Sequence, residues 1–186
     1  MKSFLKINLM LCLLVSVSAV QAQVDIKINP VGLIFSRAIV SAEFGVKDNI
    51  GIEVHGGVGW PSISISDEKF KSNTVRYGLN GRYYFSPDKG IDRFYAGIYT
   101  RFVNGEMTST ADDGRVKRNR ASGGVLIGYK VIARNERLVF DFGLGLGRVF
   151  TNKFTPNSEG QESLDLSDIP FLNIDAPLFL TVGYRL

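Results

Sequence analysis

The sequence predicts an all-β protein, an eight-stranded antiparallel up-and-down transmembrane β-barrel. Three observations predict it. Segment after segment alternates apolar with polar or small residues at period two. Most of these segments reach the roughly 9–11 residues with which a tilted strand crosses a bilayer. The connections between them alternate short and long, as in barrels with short periplasmic turns and longer outer loops.

Residues 1–22 read as a secretory signal peptide. Lys2 and Lys6 are positive, Asn8 to Val20 is mostly apolar, and Val20 and Ala22 are small residues at the −3 and −1 positions of a cleavage site. The apolar run is about a dozen residues, short of the roughly 20 that a spanning helix needs. Cys12 is the only cysteine and lies inside this run, after Leu11 rather than a small residue. It is therefore expected to leave with the leader rather than carry a lipid. Residues 23–186 then form the mature domain, without cysteine, exported to the outer membrane of a Gram-negative cell.

Eight strands follow, at roughly 24–35, 37–46, 49–60, 73–86, 92–106, 116–132, 137–151 and 173–186. In the fourth, Val75, Tyr77, Leu79, Gly81, Tyr83 and Phe85 share one face, and Arg76, Gly78, Asn80, Arg82 and Tyr84 the other. In the fifth, Phe94, Ala96, Ile98, Thr100 and Phe102 oppose Arg93, Tyr95, Gly97, Tyr99 and Arg101. The connections at 47–49, 86–91 and 133–136 are short. Those at 61–72, 104–119 and 152–172 are long and polar. Asp113-Gly114 is a hairpin-turn signal, so the fifth and sixth strands are expected to run past the bilayer as a ribbon. An even strand count puts both termini on the periplasmic side.

A soluble sandwich also alternates, with its polar face toward water. Here the polar face mixes long charged side chains with glycine, which suits the inside of a narrow barrel filled by its own side chains. Strand phase assigns Lys27, Glu43, Glu53, His55, Arg76, Arg82, Arg93, Arg101, Arg120 and Asp141 to a polar network in the lumen. The same phase turns Asp25, Lys130 and Arg185 inward. Charges in such a space must pair and hydrogen-bond. Arg82 or Arg101 with Glu43, Glu53 or Asp141 are the expected pairs, although register is open. On the outward face, Phe44, Trp60, Tyr83, Phe85, Phe94, Tyr129, Phe140 and Tyr184 are expected in aromatic girdles at the two membrane interfaces.

Three short stretches carry a resemblance. Ile28-Asn29-Pro30-Val31-Gly32-Leu33, Arg82-Tyr83-Tyr84-Phe85 and Phe94-Tyr95-Ala96-Gly97-Ile98-Tyr99 resemble domain-of-unknown-function family 3575. Its members look like small outer-membrane barrels with a signal peptide. The chain is also similar to the wider eight-stranded class that includes the OmpA transmembrane domain, OmpX and OmpW. Those barrels usually end in an aromatic residue that the insertion machinery reads. This chain ends Gly183-Tyr184-Arg185-Leu186, with Leu in that place. The resemblance implies no catalytic residues.

Chemistry-bearing motifs are few. Of 186 residues one is His and one is Cys, too few for a usual zinc site or thiol chemistry. His55 therefore reads as part of the interior network. Gly143-Leu144-Gly145-Leu146-Gly147-Arg148 imitates a phosphate loop, but its glycines recur every second residue inside a strand. Glu159, Glu162, Asp165 and Asp168 lack the spacing of an EF-hand and read as a solvated acidic loop. The formal charge of +4 is scattered, so nucleic acid is not an expected partner. No cofactor or metal is expected. The expected partners are outer-membrane lipids, the barrel insertion machinery, and an extracellular ligand or protein at the loops 61–72, 104–119 and 152–172. The expected state is a monomer. The expected function is non-enzymatic, a structural or surface-interaction role with a side-chain-plugged lumen. The alternatives are a narrow channel or small hydrophobic-solute transporter of OmpW type and, third, a lipid-modifying barrel enzyme.

Overall fold

A computed structural model of the chain describes residues 23–65, 68–109, 115–156, 164–165 and 173–186. The expected leader at 1–22 lies outside the described residues, as do most of the acidic loop and the Asp113-Gly114 turn.

The chain is almost entirely antiparallel sheet, and eight strands close into a ring. They are β1 (Val24–Ile28), β2 (Arg37–Lys47), β3 (Ile50–Gly59), β5 (Glu68–Tyr84), β6 (Arg93–Ser109), β7 (Arg115–Ile132), β8 (Leu138–Pro156) and β11 (Leu178–Arg185). Each pairs with the next in this order. The seam is β1 on β11, with Asp25 opposite Arg185 and Ile28 opposite Val182. Two short strands sit off the ring, β4 (Ser62–Ile65) on β5 and β9 (Leu164–Asp165) on β8, while β10 (Ile174–Asp175) continues the line of β11 along β8. Among the described residues no helix is long and apolar enough to cross a membrane.

Three expectations about elements need correction. The first strand stops at Ile28 rather than running to residue 35. Asn29 caps a one-turn helix, α1 (Pro30–Ile34), its side chain accepting from the Gly32 amide at 2.8 Å. Proline at the first helical position has no amide to lose and a φ already suited to the helix. The last strand is broken at 176–177. Pro177 has no amide to donate to the ladder, and its carbonyl takes the Gly145 amide at 2.8 Å. The described parts of the three stretches expected as long loops are largely strand. Ser62–Ile65 folds back on Glu68–Lys71, β6 and β7 stay paired out to Thr108 opposite Arg115, and β8 continues to Pro156. The expected ribbon thus includes β5 and β8 as well as the fifth and sixth strands of the ring.

The two faces of the ring are inverted relative to a water-soluble fold. Outward side chains are apolar and uncovered: Ile98 is 67% exposed, Val125 60%, Leu79 53% and Leu144 48%. Phe44, Trp60, Tyr83, Phe85, Phe94, Tyr129, Phe140 and Tyr184 are on this outward face too, Phe44 half-buried between Val24 and Ile52. The interior is polar. Lys27, Lys130, Asp25 and Glu43 are completely buried there. The apolar core is small: Tyr84, Ile91, Tyr95, Tyr99 and Leu126, with Phe179 packed against it.

Candidate functional site: the charged interior

The interior has two compartments. The first fills the end of the ring where the chain termini and the short turns sit. Its centre is the Lys27 ammonium. It lies 2.7 Å from Glu43 Oε2, 2.7 Å from Asp141 Oδ2, and against Glu53 Oε2. Arg82 binds the same three carboxylates, at 2.5 Å to Asp141, 3.1 Å to Glu53 and 3.2 Å to Glu43. Lys130 links Glu43 at 2.6 Å to Asp25 at 3.0 Å. Arg185 grips Asp25 with two parallel bonds of 2.7 and 2.9 Å. Four cations therefore face four carboxylates.

Neutral donors take the remaining lone pairs. Tyr84 donates to Glu43 at 2.5 Å, Tyr95 to Asp141 at 2.7 Å and Asn80 to Glu53 at 2.7 Å. Arg82 stacks over the Tyr95 ring at 4.6 Å, and Lys130 over Tyr84 at 4.8 Å. Isolated buried charges would be prohibitive; paired and hydrogen-bonded ones are tolerated. Every strand of the ring contributes: Asp25 and Lys27 from β1, then Glu43, Glu53, Arg82, Tyr95, Lys130, Asp141 and Arg185 from the other seven in turn.

Glycine makes the room. A Cβ at Gly128 or Gly143, which face each other across β7 and β8, would strike the Tyr95 hydroxyl. One at Gly145 would meet Tyr99 Cε1 at 3.0 Å and Pro177 Cγ at 2.7 Å. Below the network the 85–92 turn folds under the ring. Ile91 is buried there, held by Gln23 accepting from its amide at 3.2 Å and by Arg185 donating to its carbonyl at 3.3 Å. Glu43, Glu53 and Asp141 lie close enough to suggest a metal site. The Lys27 ammonium already occupies the point where their oxygens converge.

The second compartment is at the far end. Its anchor is Asp175, which accepts from Tyr99 at 2.9 Å, Ser122 at 2.9 Å and Arg120 at 3.0 Å, and pairs with Arg101. Arg37 and Arg76 share this space, beside a cavity of about 430 Å³. Arg118 sits higher on β7, bonded to Asn152 at 3.2 Å and stacked on Phe154 at 5.1 Å.

Of the residues expected in one network, the structure brings Lys27, Glu43, Glu53, Arg82 and Asp141 together. Arg76, Arg101 and Arg120 belong to the other compartment, and Arg101 pairs with Asp175 rather than with Glu43, Glu53 or Asp141. His55 lines the space between the two, and its Nδ1 has no hydrogen-bond partner. Arg93 is a correction. Its φ of 70° takes it out of the strand alternation, and its guanidinium lies exposed on Asp88 at 2.9 Å and the Ser86 carbonyl at 3.2 Å.

Asp175, Arg37 and Arg118 were not expected in the interior. A signal for each was present. Counting back by twos from Arg185 reaches Asp175, from Glu43 reaches Arg37, and from Arg120 reaches Arg118. The count fails on β8 past Val149. A bulge there leaves Phe150 unpaired, with Ser122 opposite Val149 and Ala121 opposite Thr151, so the inward positions switch from odd to even at Asn152.

Comparison with known proteins agrees with this architecture. The family model described as "Protein of unknown function (DUF3575)" matches residues 7–165. Among solved structures, the chain is similar to a major outer membrane protein from Thermus thermophilus, at a TM-score of 0.51 and 15% identity. The match covers 90% of this chain and 100% of that one. At that identity the likeness is one of fold. No curated protein matches the sequence.

Proposed function

The chain belongs to the DUF3575 family, and from that premise we propose that it is a non-enzymatic outer-membrane β-barrel protein with a closed lumen and a structural or surface-interaction role. The observation that carries this reading is the inverted ring: apolar, uncovered side chains outside and, at one end of the interior, a buried network of four cations paired with four carboxylates. Only a surround of hydrocarbon makes that outside favourable, and a closed ring leaves no unpaired sheet edge in the bilayer. The fold likeness to an outer membrane protein supports it. The termini and short turns face the periplasm in this reading, and the paired ribbons of β5 to β8 reach outward as the interaction surface. The buried network crowds that end of the interior with side chains from all eight strands, which favours a closed lumen over the channel alternative. Cell fractionation tests the proposal. The protein is expected in the outer-membrane pool, released only by detergent, with Cys12→Ser without effect. Recovery as a soluble periplasmic protein overturns it.

A further inference from the structure

We propose that the far compartment is a binding site for a phosphate group bearing two or more negative charges, held by Arg37, Arg76, Arg101 and Arg120. These four side chains come from four different strands, β2, β5, β6 and β7, and line one cavity of about 430 Å³. Among the described residues the only carboxylate lining it is Asp175, which is already engaged by Arg101, Arg120, Tyr99 and Ser122. One carboxylate against four guanidinium groups leaves a positive surplus. Arg76 in particular stands in the fields of Arg37, Arg101 and Arg118, all repulsive.

Arg37 and Arg76 have no hydrogen-bond or ion-pair partner among the described residues. The Nε atoms of all four arginines are shielded from solvent and unpaired. The neighbouring compartment shows how this interior treats charge when no ligand is needed: four cations are matched by four carboxylates. Here the matching acid is missing from the described residues. Convergent planar guanidiniums suit an anion with several acceptor oxygens, because each presents a fork of N–H donors. A phosphate monoester or a pyrophosphate has both the charge and the oxygen count. The cavity is of the size that small-molecule sites occupy. Its wall of Val31 and Phe35 from the α1 region gives the rest of such a molecule an apolar surface. The Lys27–Arg82 network closes the floor, so the anion binds without crossing.

The phosphate could belong to a soluble molecule or to a lipid headgroup reaching over the rim, and one experiment separates these sources. The protein is purified in zwitterionic detergent at low salt, and inorganic pyrophosphate is titrated by calorimetry. The expected result is saturable one-to-one binding, weakened about tenfold or more by Arg76→Gln and likewise by Arg37→Gln, since each removes a charge-assisted contact. Neither variant breaks an existing bond, so folding is expected to be intact. Arg93→Gln, an equal charge change at the opposite end, is expected to leave binding unchanged. Absence of saturable binding overturns the proposal, as does an Arg93→Gln loss equal to that of Arg76→Gln. The titration is then repeated in phosphatidylcholine vesicles with and without phosphatidic acid. Equal affinity in both supports a soluble phosphate. Competition by phosphatidic acid that Arg76→Gln abolishes supports a lipid one.

Discussion

The two ends of the interior are built from the same kinds of side chain and reach opposite electrostatic outcomes. Near the termini, Lys27, Arg82, Lys130 and Arg185 meet Asp25, Glu43, Glu53 and Asp141, with tyrosine and asparagine taking the spare lone pairs. At the far end, Arg37, Arg76, Arg101 and Arg120 share Asp175. The difference teaches that burial alone does not dictate pairing in a narrow ring. Complete pairing marks the half whose task is to hold the wall together. Surplus charge is tolerated where water or a ligand has access.

Substitutions can break or sharpen this contrast. The largest effect is expected at Glu43, which holds Lys27, Lys130, Arg82 and Tyr84 at once. Glu43→Ala leaves three buried cations short of a partner and is expected to cost about 3–5 kcal/mol, read by urea unfolding in lipid vesicles. The same variant tests closure. Wild-type protein in planar bilayers is expected to show no stable open level, and Glu43→Ala to show intermittent openings. A steady wild-type conductance would mean that the paired half is not a plug.

Next comes the wall that both halves presume. Leu144 is on the outward face at mid-strand, between Ile127 and Leu178 on the neighbouring strands. Leu144→Arg is expected to cost about 2–4 kcal/mol in a bilayer. Leu144→Ala should be mild, since lipid closes over the lost methyl groups. If the alanine variant instead loses roughly 2–5 kcal/mol, as in a packed protein core, inside and outside have been exchanged and the comparison falls with them.

Asp175→Asn should cost less than Glu43→Ala, about 1–3 kcal/mol. Its partners Arg101 and Arg120 are about one-fifth exposed and can take up water when the carboxylate is lost. Equal costs at the two sites would erase the distinction between the compartments. The smallest effect is expected at Arg76. Arg76→Gln removes a like charge that has no partner among the described residues, so stability should change by less than about 1 kcal/mol, on the stabilising side. A clear destabilisation would point to a partner for Arg76 that the described residues do not contain.

Much of this architecture was legible in the sequence, because in a ring one face of every strand is polar and one apolar. That alternation gave the strands, the outward placement of Ile98 and Leu144, and the inward placement of Lys27, Glu43 and Asp141. It could not give pairing. Lys27 and Asp141 are 114 residues apart and meet only because β1, β11 and β8 are neighbours around the ring. Period-two reading also failed wherever the backbone left the pleat. Arg93 turned outward at a positive φ, Asn29-Pro30 began a helix, and Phe150 shifted the phase of β8. The division of the interior into two compartments depends on the height of each residue along the ring axis. Height follows from register, which phase does not contain.

The contribution of all eight strands to one ion network has a consequence in time. A growing hairpin can satisfy its backbone as it forms, but several of the central charges wait for partners on strands far along the chain. Lys27 on β1 needs Asp141 on β8, and Arg185 on β11 needs Asp25 on β1. An open, partly assembled sheet must therefore keep that edge wet, because drying it would strand lone ammonium and carboxylate groups. The β1–β11 seam pairs only Asp25 to Ile28 with Val182 to Arg185, and Asp25 and Arg185 lock across it side by side. That clasp is the natural final event. Its closure brings Arg185 onto Asp25 and completes the pairing of the ring.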